Sequence, residues 1–361
     1  MPPWPKRFGR AYRGRVTARR PTIRDVAHRA GVSVTTVSHT FTGNGTVAPA
    51  TQQRVRTAAH DLGYRPDVIA QGLRRNRLGV IALVARQLDA LRPDLLVDVD
   101  YFARFAGAAA VASLAEGLGL MLVSDPTGPR AAGAALASDG FIVTEPVTDD
   151  PLVAMLTSAG IPFVTVGEVP GVPLGPESPP HVDIESGRLT TLALDHLWDS
   201  GARRIALVTG TDRNEWNLRT AAVYRRWARY RRITPSMVHV PEHLDDEGGR
   251  RAARTLLASG PAPDGVYALT SNHALGVVAV LAEHGLRVPA DVRIVAGSDA
   301  ESLRAAHPTI SSIDLQPDEL ARRAVETLSA RLDDRPLPDH GEQRVGRLVV
   351  RASSTPPGPQ P

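Results

Sequence analysis

The 361-residue sequence contains no cysteine, which excludes disulfide bonds and thiolate metal sites. It also lacks any apolar run approaching the roughly 18 residues that a membrane-spanning helix requires. Residues 1–20 are basic and interrupted by Pro and Gly, without the apolar segment of a secretory signal. These absences predict a cytoplasmic protein.

Signatures of catalysis are missing as well. The sequence has no phosphate-binding GxxxxGK[ST], no HExxH and no GxSxG, and its 11 His residues are scattered. We therefore expect no enzyme activity, no cofactor and no metal site.

Acidic residues are scarce in one part of the chain only. Residues 1–77 hold 15 basic and three acidic residues, whereas the remainder holds 27 basic and 35 acidic residues. A basic head on an acidic body is typical of a protein that binds a polyanion through one end. A disordered basic tail is the alternative, but it explains only part of the excess, because other arginines lie well beyond it, among them Arg54, Arg56, Arg65, Arg74, Arg75 and Arg77.

The basic region has the pattern of a helix-turn-helix over residues 22–67, preceded by a tail at 1–21 that we expect to be disordered. Thr22 is a suitable cap for a helix whose apolar residues follow at i, i+3, i+4 and i+7. Gly31 ends this helix and Ser33 caps the next. Pro49 begins a third helix. Three short helices, the first two joined at a glycine, make this motif.

From residue 79 the sequence consists of short apolar runs separated by segments long enough to form helices. Examples of the runs are GVIALVA, DGFIVT, IPFVTVG and RIALVTG. Such alternation predicts parallel sheets covered by helices, and about 280 residues favour two α/β lobes over one. The Pro/Gly-rich stretch at 167–180 is the expected crossing point between lobes.

Several long segments make the sequence recognisable. They include TIRDVAHRAGVSVTTVSHTFTGNGTVAPATQQRVRTAAHDLGYRPDVIAQGL, VDIESGRLTTLALDHLWDSGARRIALVTG and EHGLRVPADVRIVAGSD. In this order they resemble the lactose/galactose-repressor (LacI) family of transcription regulators across residues 22–355. The resemblance implies a small all-α helix-turn-helix head, a hinge helix at 68–78 and a two-lobed α/β body at 79–361, folded like type I periplasmic binding proteins.

The resemblance also implies partners and lobe boundaries. We expect a homodimer or a tetramer that binds a near-palindromic double-stranded DNA operator, with a sugar-like or related small-molecule effector in the cleft between lobes. Lobe 1 is expected at about 79–178 and 300–324, and lobe 2 at about 179–299 and 325–355.

For DNA, the resemblance places base-reading positions on Val34, Thr35 and His39 of the second helix, which would enter the major groove. Phosphate contacts are expected from Ser33, Thr36 and Ser38, and Thr22 is a further candidate DNA-binding residue. In the hinge, Ala70 and Leu73 match residues that enter the minor groove, Leu73 as an apolar wedge that kinks the duplex. An ordinary core leucine is the alternative.

Two positions in the head depart from the family pattern. The position of His39 is often Arg in the family, and His makes fewer hydrogen bonds to guanine. Ala48 replaces the usual polar cap before Pro49, so the third helix should begin less firmly.

For the effector, the resemblance points to Arg219 and Asp299, and we add Trp216 and Asn272. A charged pair facing a cleft suits polyol hydroxyl groups. The alternatives are a surface Arg, a helix-capping Asp and a core Trp. Residues 270–273 read TSNH where the family usually has ND, which weakens the prediction of a plain sugar.

The sequence thus predicts a ligand-controlled transcriptional repressor. One alternative is a small-molecule binding protein or enzyme with a head that docks on DNA without sequence preference. A purely architectural DNA-binding protein is a third possibility, but it would not need so large a body.

Overall fold

The computed structural model divides the chain into two compact units, Met1–Leu78 (the head) and Gly79–Pro361 (the body). The structure describes residues 21–42, 45–64, 77–84, 100–128, 133–175, 178–339 and 344–355.

Three short helices form the described part of the head. They are α1 (Ile23–Ala30), α2 (Val34–Thr42) and α3 (Pro49–Leu62). The chain turns from α1 to α2 at Gly31, whose φ of 65° lies in the left-handed region that favours glycine. The buried core consists of Val26, Ala27, Val37, Val55, Ala58 and Ala59. The predicted helix-turn-helix is confirmed.

The first lobe of the body is built on a five-stranded parallel sheet. Its strands are β1 (Val80–Val84), β2 (Gly119–Val123), β3 (Gly140–Thr144), β4 (Phe163–Val166) and β5 (His181–Val182), in the spatial order β2-β1-β3-β4-β5. Helix α4 (Asp100–Ala115) covers one face and α5 (Pro151–Ser158) the other. Because both faces are covered, the strands are apolar along nearly their whole length.

The second lobe has a six-stranded sheet in the order β11-β10-β9-β8-β6-β7. Its strands are β6 (Ile205–Thr209), β7 (Ser236–His239), β8 (Gly265–Ala268), β9 (Arg293–Ala296), β10 (Ser311–Asp314) and β11 (Arg347–Val349), of which β11 is antiparallel. One face packs on α6 (Ser186–Asp199) and α7 (Glu215–Arg231). The other packs on α8 (Asp245–Ala258), α9 (Ser271–Glu283) and α10 (Glu301–Ala305).

The predicted lobe boundaries near the C-terminus are wrong. Residues 300–324 were expected in lobe 1, but β10 pairs with β9 in the sheet of lobe 2. Residues 325–355 were expected in lobe 2, and β11 does pair with β10 there, but the whole of α11 (Pro317–Leu332) packs on lobe 1, where Leu320 and Leu328 join the core. The boundary therefore falls between a strand and a helix rather than inside the helix.

The predicted crossing at 167–180 is also misplaced. After this stretch the chain still adds β5 to the sheet of lobe 1, with Thr165 N–H donating to the Pro180 carbonyl at 3.0 Å. The chain crosses only after Val182, just before α6 begins.

The two lobes meet where their parallel strands end. The loops after β3 and β6 form a bridge between Val147 and Asn214, and Thr148 N–H donates to the Arg213 carbonyl at 3.0 Å. In parallel α/β sheets, ligands bind at the carboxyl ends of the strands. This edge of each sheet is therefore where a ligand cleft belongs.

Candidate functional site: an exposed helix in the head and a cleft in the body

The second helix of the head exposes the side chains that were predicted to read DNA. Ser33, Val34 and Thr35 are exposed, with Val34 at 41%, while Ser38 and His39 are half-buried. Val37 and Thr40, on the opposite side of the same helix, are buried. Helix α2 therefore buries one side and presents short polar and methyl groups on the other, a surface that fits the edges of bases in a major groove.

The helix starts are fixed by short-range hydrogen bonds. The Oδ2 atom of Asp25 accepts from the N–H and the hydroxyl of Thr22, each at 2.7 Å. At the start of α2, Thr36 N–H donates to the Ser33 Oγ at 3.1 Å, and the two hydroxyls of Ser33 and Thr36 lie 2.9 Å apart. The capping role predicted for Ser33 is thus observed. Ala48, which precedes α3, has no side-chain oxygen and makes no capping hydrogen bond at the start of that helix.

His39 lies against Gly45, which follows α2 in the chain. A Cβ added at Gly45, whose φ is 100°, would stand 2.7 Å from the His39 Nδ1. The ring therefore occupies space that any side chain at position 45 would take. Because Gly45 lies so close to the ring, we expect a side chain at position 45 to displace the predicted base contact of His39.

The hinge contacts predicted for Ala70 and Leu73 lie outside the described residues.

In the body, Arg219 lies on the first turns of α7 and reaches across to lobe 1. Its Nη2 contacts the Glu168 Oε2 at 2.6 Å, just after β4, and its Nε contacts the Glu215 Oε1 at 2.7 Å. Ser186, at the start of α6, donates to the same Glu215 oxygen at 2.6 Å. A cavity of about 390 Å³ opens beside these groups, with Arg188 on its wall. The predicted effector contact thus lines a cleft in the body.

Glu168 and Glu215 affect the ionisation of Arg219. Burial raises the pKa of Glu215, although the Ser186 hydroxyl and the Arg219 guanidinium act in the opposite direction. Burial lowers the pKa of Arg219, but Glu168 and Glu215 outweigh it and raise that pKa above its ordinary value. The Arg219 guanidinium therefore stays charged, and its charge is already balanced inside the protein.

Asp299, the other predicted charged contact, lies in a second network at the end of β9. Its Oδ2 contacts the Arg304 Nη1 at 2.6 Å, and its Oδ1 contacts the Ser312 Oγ at 2.6 Å and the Arg351 Nη1 at 2.8 Å. Burial acts to raise the pKa of Asp299, but the hydrogen bonds from Ser312 and Arg351 lower it overall. Asp299 is therefore an ionised acceptor that is not a helix cap.

Arg304 extends this network to the other lobe. Its Nη2 contacts the Asp100 Oδ2 at 3.0 Å, at the start of α4 in lobe 1. Arg304 and Glu168 are thus the two residues that connect the predicted effector contacts across the lobes. Sequence reasoning missed both. Glu168 directly follows an apolar strand and could have been suspected, whereas nothing in the sequence around Arg304 indicates its partners.

Trp216 and Asn272 occupy different places. Trp216 packs against the cores of both lobes and lines a small closed space with Tyr267 and Leu315, which favours the core interpretation over ring stacking. Asn272, at the start of α9, donates from Nδ2 to the Asp245 Oδ1 at 3.1 Å.

The four predicted effector residues are only partly brought together. Trp216 and Arg219 share the first turns of α7. The loops of Asn272 and Asp299 follow adjacent strands and are joined by Ser271 N–H donating to the Ser298 Oγ at 3.1 Å. Among the described residues, no hydrogen bond or ion pair joins Arg219 directly to Asp299 or Asn272.

His273, which follows Asn272, is buried in a poorly hydrogen-bonded position. Its side chain is fully buried, and neither ring nitrogen makes a well-formed hydrogen bond within the described residues. Burial lowers the pKa of His273, against Glu242, the Pro241 carbonyl and Asp245, which raise it. We therefore expect a neutral imidazole at pH 7.

The described ranges contain neither a metal-binding cluster nor a membrane-spanning helix. No group of three or more His, Asp or Glu residues there could hold a metal ion. No helix in that part of the chain is long and apolar enough to cross a membrane.

Both units match known sequence families. Residues 22–67 match the family described as bacterial regulatory proteins, lacI family, and residues 194–354 match the periplasmic binding protein-like domain. Among curated relatives, the HTH-type transcriptional regulator CelR of Thermobifida fusca is 32% identical over 317 residues, or 86% of this chain and 91% of CelR. The HTH-type transcriptional repressor PurR of Haemophilus influenzae is 27% identical over 344 residues, or 91% of this chain and 95% of PurR.

The chain also matches solved structures of transcriptional regulators. A transcriptional regulator CelR–cellobiose complex matches with a TM-score of 0.65 and 27% identity, covering 92% of this chain and 100% of that chain. The lac repressor dimer bound to operator and the anti-inducer ONPF matches with a TM-score of 0.77 and 22% identity, covering 93% and 99%. The second likeness shows the fold.

Proposed function

The chain belongs to the LacI family of bacterial regulatory proteins and is a ligand-controlled, DNA-binding transcriptional regulator, and on that premise we propose that it is a cytoplasmic repressor. It binds a pseudo-palindromic operator as a dimer and responds to a sugar-like molecule in the cleft of its body. The observation that carries the proposal is the exposed face of α2 on a strongly basic head, joined in one chain to a two-lobed body with a charged cleft.

Operator reading is assigned to Val34, Thr35 and His39. Ser33 and Thr36 hold their hydroxyls together at the start of α2, where helix N–H groups favour a phosphate, and Thr22 and Ser38 extend the phosphate contacts. Ala70 and Leu73 enter the minor groove in this proposal.

Selection from random DNA tests this assignment. Wild type should return an inverted repeat, and Thr35→Ala should relax the preference at one position of each half-site by roughly 0.5–1.5 kcal/mol, the usual net contribution of one hydrogen bond. Ser38→Ala serves as a matched control, since removing a hydroxyl that binds phosphate weakens binding without changing the preferred sequence. Recovery of no motif would favour the alternative of a head that docks on DNA without sequence preference.

The dimer is supported by apolar side chains exposed on lobe 1. Val111 and Leu114 on α4 are 69% and 74% exposed, and Leu122 on the edge strand β2 is 48% exposed. Leu122 lies on the same face of β2 as Leu120, which packs with the core beneath α4. Val111→Glu with Leu114→Glu should convert a dimer to a monomer in sedimentation experiments, and a dimer that persists would place the interface elsewhere.

Cellobiose is the first effector to test, because the related CelR was solved in complex with it. A ligand that binds only the folded protein raises its melting temperature, by an amount equivalent to about 2.7 kcal/mol at one hundred times Kd. Sugars, sugar phosphates and nucleosides complete the panel. Asp299→Asn should abolish the shift caused by the true effector, whereas a panel without any shift would contradict a sugar-like effector.

A further inference from the structure

One stretch of the body has a run of arginines without acidic neighbours in sequence. Between Glu215 and Glu242 the chain contains six Arg residues and no Asp or Glu, although residues 78–361 as a whole carry more acidic than basic residues. Most of these arginines fall in the second half of α7 and just after it. The local charge is therefore opposite to that of the body around it.

Four of these arginines form an exposed ridge, which we name the arginine ridge: Arg225, Arg226, Arg229 and Arg232. Within the described residues, none of the four forms an ion pair with a carboxylate; Arg225 contacts only the Met237 sulfur, at 3.8 Å. The arginines of α8 behave differently, since Arg250, Arg251 and Arg254 all have acidic partners. The ridge therefore presents uncompensated positive charge to solvent.

The ridge is flanked by a cluster of aromatic side chains and Arg231. Tyr230 is 81% exposed. Arg231 lies over the Trp198 and Tyr230 rings, at 5.0 and 5.8 Å from their centroids, and pairs with Asp195 at 3.0 Å. The Arg231 guanidinium is thus already engaged in contacts within the protein, one of them with the Tyr230 ring beside the ridge.

We propose that the arginine ridge binds the phosphate backbone of a second DNA segment while the head holds the operator. Guanidinium groups match phosphate geometry with paired hydrogen bonds. Arg225 and Arg229 are separated by one helical turn, about 6 Å of rise, which is close to the length of duplex axis, about 7 Å, over which one DNA strand presents two phosphates.

A nucleic acid fits this surface better than an acidic protein does. Protein interfaces usually bury an apolar or aromatic centre, and here Tyr230 is the only large ring exposed along the ridge in the described residues. DNA needs only positive charge in line and an occasional ring against a sugar or base. The regulator also works on DNA, where the local concentration of this partner is high.

The test uses the full chain with its head already occupied. A short operator duplex, obtained by selection, is added to saturation, and a labelled duplex without the operator is then titrated onto the complex at several salt concentrations. The variant is Arg225→Gln with Arg226→Gln and Arg229→Gln. The matched control is Arg250→Gln with Arg251→Gln and Arg254→Gln, which removes the same charge from arginines that are paired.

The ridge variant should bind the second duplex at least tenfold more weakly than wild type. Its salt slope should fall by up to about 2.7, because each phosphate that is no longer neutralised reduces the slope by about 0.9. The control should keep the wild-type slope, and all three proteins should bind the short operator alike. Equally weakened binding in variant and control, or an unchanged second-duplex affinity in the variant, would overturn the proposal. So would ridge-dependent binding of a polyglutamate peptide together with unchanged DNA binding, because the partner would then be an acidic protein.

Discussion

At the scale of single residues, the cleft shows that a group proposed to bind an effector also maintains the fold. Arg219 bonds Glu215, whose side chain is only 8% exposed and whose Oε2 has no hydrogen-bond partner in the described residues. Removing the guanidinium leaves a buried carboxylate with the Ser186 hydroxyl as its remaining donor. A buried carboxylate destabilises the folded state unless it is paired with a positive charge or protonated.

Arg219→Ala should therefore lower the free energy of unfolding by roughly 1–3 kcal/mol, the usual cost of an unsatisfied buried polar group. Adding Glu215→Gln should restore much of that stability, because the amide carries no charge and still accepts from Ser186. Denaturant unfolding of the two single variants and the double variant gives the coupling directly. Additive effects would show that Arg219 does not support Glu215, and any effector defect of Arg219→Ala could then be ascribed to weaker effector binding alone.

His273 makes a prediction about pH. Its pKa is lowered by burial, so the unfolded chain binds a proton more readily than the folded protein. The neutral His273 therefore contributes its full stabilisation at a pH above the pKa of histidine in the unfolded chain, which is near 6.5. This stabilisation is lost as the pH falls below that pKa, with a slope of at most about 1.4 kcal/mol per pH unit for one proton.

His273→Leu should weaken this acid sensitivity, since the leucine has no proton to gain. The measurement is the free energy of unfolding of both proteins from pH 7.5 to 5. His196, whose pKa burial also lowers, titrates in both and cancels in the comparison. Parallel curves for the two proteins would exclude His273 as the source of the acid sensitivity.

At the scale of elements, local patterns predicted the head better than the body. The caps at Thr22 and Ser33 and the turn at Gly31 depend on neighbours within a few residues, so sequence spacing is sufficient to find them. The lobe of α11 depends instead on which distant core receives Leu320 and Leu328, and helical periodicity carries no such information. The same holds for the site. Arg219 and Asp299 could be matched to a family, but the contacts that join them to the other lobe could not, because Glu168 and Asp100 come from distant segments of the chain.

Two helical glycines, Gly276 and Gly107, provide a test of how closely the helices pack. A Cβ at Gly276 of α9 would stand 2.0 Å from the Asp246 carbonyl oxygen of α8, whereas a Cβ at Gly107 of α4 would meet nothing within 4 Å. Gly276→Ala should therefore destabilise the protein by several kcal/mol or prevent folding, because backbone must move. Gly107→Ala should stabilise it by about 0.5–1 kcal/mol through helix propensity. Thermal unfolding distinguishes them, and a neutral Gly276→Ala would mean that α8 and α9 pack less closely than the structure shows.

At the scale of the whole body, the two proposed effector contacts share one property. Each belongs to a network that joins the lobes: Arg219 pairs with Glu168, and Asp299 holds Arg304, which pairs with Asp100. An effector that hydrogen-bonds Arg219 or Asp299 must compete with these internal partners. Binding would thereby favour a different arrangement of the lobes, and a ligand alters operator affinity only through such a difference.

Glu168→Gln and Asp100→Asn should therefore change operator affinity in the same direction without any ligand, because each weakens an ion pair that holds the same lobe arrangement. Partly exposed pairs are worth up to about 1 kcal/mol, so each change should be fivefold or less. Glu326→Gln is the matched control, since it removes an equal charge from a pair with Arg322 that lies within α11 and joins no lobes. Operator titrations of the three variants and wild type provide the measurement. If Glu168→Gln and Asp100→Asn act in opposite directions, or no more than Glu326→Gln, the ion pairs between the lobes do not set operator affinity, and the loop contacts around Val147 and Asn214 are the next contacts between the lobes to test.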